Sequence, residues 1–226
     1  MSWGLLRRSV ALVVLLTLGC SSGEVGERYR AERDYARVRR QIDRMSTAPD
    51  LVTRADSLGI AERLEAVGRL GLRRAQTDGE PSSDAGLEVA HIGARASLEA
   101  ARYRIALGEP ERARELSATV QEAMTWSRDA CRAAQVVLIE ALDRLGDQET
   151  LLSELWRLAD EFDVASPDGA DIHDPVLDAP LDALRLSAVG RDSSATRRVA
   201  ERALRCYERF GAQWAGRRPA LLADVR

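Results

Sequence analysis

The sequence predicts an all-α chain of antiparallel helical hairpins stacked in series, and three observations carry that expectation. Apolar residues recur at steps of three and four through most of the chain. No run alternates apolar and polar residues long enough to make a useful strand. Alanine, leucine and arginine supply much of the 226 residues while aromatics make up only 4%, and small apolar side chains are what let helices approach one another.

Taken in order, Ser21 to Gly26 reads as a short tether. Glu27 to Met45 is dense in charge, with Ala31, Tyr35, Val38, Ile42 and Met45 on one helical stripe. A basic amphipathic helix can lie on a membrane, but acids are mixed in here, so packing against the next helix is the expectation. Ala48-Pro49-Asp50 breaks it. A second helix spans about Asp56 to Gln76, with Ile60, Leu64, Val67 and Leu70 as its apolar side. Gly59, Gly68 and Gly71 weaken it by up to ~1 kcal/mol each relative to alanine, and a close helix crossing is the reading that accounts for them. Thr77 to Ala85 is a plain loop.

From about Leu87 to Leu107 a helix carries Ala94, Leu98, Ala101 and Ile105 on one face and stops at Gly108. Pro110 suits the first turn of the next helix, which buries Ala113, Leu116, Val120 and Met124. Ser127 is placed to cap a helix striped by Cys131, Ala134, Leu138, Ala141 and Leu145. Gly146-Asp147 ends it, and Leu152, Leu155, Ala159 and Phe162 line its successor. After a long acidic connection, Leu181, Leu184 and Ala188 precede Gly190. Ser193 or Ser194 then caps a last helix carrying Ala195, Val199, Ala203, Cys206 and Phe210.

Three turns share a pattern: Leu107-Gly108 with Ala113, Leu145-Gly146 with Leu151, and Val189-Gly190 with Ala195. Glycine suits a helix that ends by entering left-handed backbone angles, and the residue five on faces back into its own hairpin. This resembles the tetratricopeptide repeat, in which a Leu-Gly turn separates two helices. The glycines at 108, 146 and 190 are 38 and 44 residues apart, against a family period of about 34, so longer loops are implied. Leu151 departs from the family's alanine. The family's concave face, carried over by offset from each turn glycine, implies that Arg95 and Arg102 of the first hairpin and Glu140 and Asp143 of the second face a protein-binding groove. Such a mixed-charge groove suits an extended peptide or a partner's helix. Trp126 and Trp156 are read as filling the seam between hairpins rather than as partner anchors.

The first twenty residues carry a second resemblance. Arg7-Arg8 precedes the uncharged run Val10 to Leu16, too short to span a bilayer, and a small residue follows before a cleavage point. Leu16-Thr17-Leu18-Gly19-Cys20 resembles the lipobox of bacterial lipoproteins, with Thr17 where leucine is commoner. The resemblance implies an acylated Cys20 held in membrane lipid, and Ser21-Ser22, with no aspartate after the cysteine, implies sorting to the outer membrane of a two-membrane cell. The expected organisation is then a signal peptide at 1–19, a lipidated cysteine and tether at 20–26, an N-terminal helical hairpin at 27–77, tetratricopeptide-like hairpins at 86–210 and a tail at 211–226.

Charge excludes one class of partner. Lysine plus arginine number 33 and acids 36, with signs interspersed, so no nucleic-acid footprint is present. Every basic residue is arginine. Cys131 and Cys206 remain after Cys20, either as one disulfide or as two small buried hydrophobes. The chain has two histidines. His91 lies in a helix of small residues. His173 sits among Asp168, Asp171 and Asp174, a run without the alternation and final glutamate of a calcium loop, and it is read as an acidic connection capping the next helix. No catalytic set, metal site, cofactor or glycine-rich phosphate loop is expected. The function expected is that of a membrane-anchored periplasmic adaptor binding another envelope protein. A periplasmic enzyme with a helical substrate platform, or a purely structural lipoprotein, are the alternatives. Converging Glu, Asp and His in one pocket would favour the enzyme.

Overall fold

The computed structural model describes residues 23–162, 174–188 and 193–210. Among them every regular element is helical. The helices are α1 (Glu24–Ser46), α2 (Arg54–Asp78), α3 (Asp84–Ala106), α4 (Pro110–Ala123), α5 (Arg128–Leu145), α6 (Gln148–Glu161), α7 (Pro175–Ala188) and α8 (Ser193–Phe210), with a short 3-10 turn at Pro49–Leu51. Helix α1 packs with α2, α2 with α3, α3 with α4, α6 with α7 and α7 with α8, which gives the described residues an all-α, helical-repeat character. The contacts divide it into two compact units, residues 1–131 and 132–226. The division falls inside α5 and not in the loop before α3. The expected N-terminal hairpin therefore belongs to one body with α3 and α4.

The first unit is built on the α2–α3 pair, its most extensive contact. Thr53 and Asp56 form a reciprocal capping box that starts α2, two residues earlier than the apolar stripe suggested. Ser83 accepts from the Gly86 amide at 3.0 Å and starts α3, so the expected loop shrinks to Gly79–Ser83. The two helices cross where neither carries bulk. A Cβ placed on Gly71 would lie 2.5 Å from the Gly93 Cα, and one on Gly68 would collide with the Ser97 hydroxyl. The close crossing expected of Gly68 and Gly71 is thus present, with Gly93 as the partner. Gly59 takes no part, having open space around it.

Helix α1 lays its stripe on this pair. Ala31 and Val38 are buried, while Tyr35, Ile42 and Met45 are half-buried. It packs on α3 as well as on α2, the next helix. Its first turn is fastened by Glu24, which accepts from Arg74 of α2 at 2.7 Å and from the Ser83 hydroxyl. That contact corrects the expected tether: residues 24–26 are already helical. Residues 20–22 of the tether, with Cys20, the signal segment and the 211–226 tail lie outside the described residues.

Both described repeat turns have one geometry. Gly108 has φ +79° and Gly146 φ +70°. In each, the glycine amide donates three residues back (Gly108 to Ile105 at 3.0 Å, Gly146 to Asp143 at 3.2 Å), and the following amide donates five back (Glu109 to Arg104, Asp147 to Leu142). This pair of bonds satisfies the last carbonyls of the helix and requires the left-handed residue. Ala113 and Leu151, five on, are buried as the pattern expects. Gly190 lies outside the described residues.

In the second unit α6 packs on α7 and α7 on α8. Helix α7 begins at Pro175, earlier than the apolar stripe at Leu181 suggested, and it contains Pro180. A proline inside a helix removes one amide donor. At the helix start the Asp174 carboxylate accepts from the Val176 amide at 2.9 Å and pairs with Arg132 of α5. The acidic connection does cap the next helix. Tyr207 of α8, wholly buried, donates to the Leu177 carbonyl at 2.8 Å and pins α8 to α7. No disulfide forms. Cys131 donates to the Met124 carbonyl, and the buried Cys206 thiol lies 3.6 Å from Asp160.

Two glycine substitutions separate the crossing from ordinary helix propensity. Gly93→Ala should destabilise the chain by about 1–3 kcal/mol through overpacking against Gly71 backbone. Gly59→Ala, with room for the methyl, should stabilise it by up to about 1 kcal/mol. Urea midpoints of the two variants against the parent chain measure both signs.

Candidate functional site

In the second unit, α5, α6 and α7 enclose a groove of about 500 Å³. Its floor is apolar: Leu151 and Leu155 are buried, Ile139 and Leu186 half-buried. Its rim is charged, with Glu140 and Asp143 from α5 and Asp182 and Arg185 from α7. Helical spacing explains the arrangement. Ile139, Glu140 and Asp143 stand one, two and five residues beyond the buried Leu138, at the edge of the α5 stripe. Asp182 and Arg185 each follow a buried leucine of α7, Leu181 and Leu184. Asp182 and Arg185 are 3.6 Å apart, while Glu140 and Asp143 are exposed and have no ion-pair partner among the described residues.

Two of the four residues expected at a binding face thus share one groove. The other two, Arg95 and Arg102, are exposed on α3 in the first unit, seven residues apart and so on one side of that helix. Between them Glu99 accepts from the Tyr35 hydroxyl at 2.7 Å and from Arg39 at 3.2 Å. Burial raises the Tyr35 phenol well above its ordinary value, and the bond to the Glu99 carboxylate raises it further. What sequence spacing missed is the contribution of α7. Its wall residues were hidden by Pro180, which reads as the end of a loop. The available signal was the pair Asp182 and Arg185 at i and i+3, flanking Leu181 and Leu184.

Among the described residues the groove brings no histidine to its carboxylates. His91 is exposed on α3 and packs edge-on against Trp126, with ring centroids 5.4 Å apart. His173 lies outside the described residues. Among those described, no cluster of three His, Cys, Asp or Glu is placed to hold a metal ion, and no helix is long and apolar enough to cross a membrane. Trp156 is buried under the Arg202 guanidinium at 4.2 Å, a seam between α6 and α8. Trp126 is half-buried with its indole N–H unpartnered among the described residues.

A buried electrostatic cluster on α2 is structural and was not visible in the apolar pattern. Glu65 of α2 is 5% exposed and accepts from Arg104 of α3 at 2.7 Å and from Arg112 of α4 at 2.6 Å. Arg104 also holds Glu109 at 2.6 Å, beside the Gly108 turn. Burial alone would push the Glu65 carboxyl up. The hydrogen bonds from Arg112 and Arg104 outweigh it and hold the group below its ordinary range.

Comparison with known proteins finds no matching family model, curated protein or solved structure. The functional reading therefore rests on the chain's own residues.

The Glu65 cluster makes a signed prediction. Its folded-state pKa is lowered, so its stabilisation is complete above the ordinary carboxylate range and is lost as pH falls through the folded value. Glu65→Gln should cost about 3 kcal/mol at neutral pH, since two arginines lose their counter-charge. Urea unfolding of parent and variant at neutral pH and near pH 3 should show the gap narrowing in acid.

Proposed function

We propose that this chain is a lipid-anchored adaptor of the bacterial envelope, tethered through Cys20 at the outer membrane and facing the periplasm. It holds another envelope protein on its helical-repeat surface. The observation that carries the binding half of this reading is the groove of α5, α6 and α7, an apolar floor rimmed by Glu140, Asp143 and Asp182 with one arginine, Arg185. An apolar floor with few directed polar groups is what a peptide or helix site offers. Its acidic rim favours a partner segment with apolar anchors flanked by basic residues. The anchoring half rests on the run from Leu16 to Cys20 and its resemblance to a lipobox. Two or three acyl chains on one residue hold a protein far more firmly than one, because each buried methylene contributes about 0.8 kcal/mol.

The two halves have separate tests. Cys20→Ala should leave an uncleaved or mislocalised precursor, and unchanged outer-membrane fractionation of that variant would remove the anchor. Glu140→Arg combined with Asp143→Arg reverses the rim without touching the floor. Affinity capture from crosslinked envelope membranes should lose its specific partner in this double variant, by about tenfold or more, while fractionation stays as in the parent. A capture profile indifferent to the reversal would reject the groove as the docking site.

A further inference from the structure

Helix α1 leaves a second surface that the adaptor reading does not use. Its buried line runs through Ala31 and Val38. On the opposite side, at about 100° per residue, an arc of roughly 120° holds Tyr29, Ala36 and five arginines, Arg30, Arg33, Arg37, Arg40 and Arg44. No carboxylate falls inside that arc; Asp43 lies on its border. All five arginines are exposed, and Tyr29 is 64% exposed in the N-terminal part of the same face. The helix's other acids have moved to its flanks, where Glu32 pairs with Arg28 at 2.8 Å and Asp34 with Arg33 at 3.0 Å. Arg30, Arg40 and Arg44 have no carboxylate partner among the described residues. Arginines at spacings of three and four repel one another and oppose the helix that carries them.

Such a face is completed by a surface of opposite charge. We infer that the outward face of α1 seats on anionic phospholipid headgroups. The inference rests on the proposed anchor for its placement: three residues lie between Cys20 and Glu24, so the helix starts within about 14 Å of an acylated Cys20. That start is fixed, because Glu24 and Glu27 bind Arg74. A basic segment beside an anchor adds an electrostatic hold on a negative membrane to the acyl one. At the edge of the arc, Arg33 and Arg37 also wall a groove of about 580 Å³ with Arg63 of α2, floored by Val38, Val67 and Leu70, and Asp34 lines it too, 3.0 Å from Arg33 and 3.8 Å from Arg37. A headgroup phosphate meets guanidinium there while the glycerol and first methylenes meet the apolar floor.

The test uses the full chain with Cys20→Ala, which has no thiol to acylate at that position. It is sedimented with vesicles of phosphatidylcholine alone, and with vesicles of seven parts phosphatidylcholine to three parts phosphatidylglycerol. Any apolar leader contributes to both arms, so the readout is the ratio of the two partition coefficients. That ratio should exceed about tenfold. Arg33→Gln, Arg37→Gln and Arg40→Gln together should return it toward unity, at roughly fivefold per arginine, with helical circular dichroism unchanged. Replacing the same three with lysine should keep it. Equal partition into the two vesicles, or a glutamine variant with the parent ratio, overturns the inference. Because no acyl chain enters this assay, failure of the face and failure of the anchor appear in different experiments.

Discussion

Helices ordinarily pack with axes 8–10 Å apart because side chains stand between them. At the α2–α3 crossing that spacing is taken away: Gly71 and Gly93 meet backbone to backbone, with Gly68 against Ser97 one turn along. The rest of the first unit follows from this approach. It sets the register that brings Glu65 of α2 within 2.7 Å of Arg104 on α3. That pair in turn reaches Arg112, so α4 is oriented by the same carboxylate. A displaced crossing would strand a buried charge, which is why the steric and electrostatic terms reinforce each other. Three glycines that weaken isolated helices become the condition for three helices to assemble.

The two Leu-Gly turns do the equivalent work within hairpins, joining α3 to α4 and α5 to α6. Each ends its helix with the same two backbone bonds and the same positive φ, so each reverses the chain in the same way. Repetition of one local solution is what gives the molecule its repeat character without repeated sequence elsewhere. The side chains around the turns have diverged, to Ala113 in one hairpin and Leu151 in the next, yet both point into the core.

How much of this was legible depended on whether the signal was local. The apolar stripes were readable because burial follows a 3.6-residue period: Ala31 and Val38, Leu64 and Val67, and Leu155 and Ala159 are all buried as spaced. The turn glycines were readable because their backbone angle excludes most other residues. Helix starts were shifted where a cap lay outside the stripe, as with Thr53 and Asp174. What spacing could not show were meetings between distant positions. Glu65 lies among apolar neighbours on its helix, and nothing in its own segment announces Arg104 and Arg112, 39 and 47 residues later. The groove was half legible for the same reason: Glu140 and Asp143 follow from the α5 turn, whereas Asp182 and Arg185 needed α7 to begin at Pro175 despite Pro180.

The outward side of α1 carries guanidinium groups and no amine. A guanidinium keeps its proton at any pH a cell meets, so acidification of the surrounding compartment leaves that side fully charged. Mobile ions do reach it, since exposed charges are screened over about 8 Å at physiological ionic strength. A surface of this kind senses the saltiness of its medium and is blind to its acidity. Divalent counter-ions competing for the same phosphates are then the natural agents for loosening it.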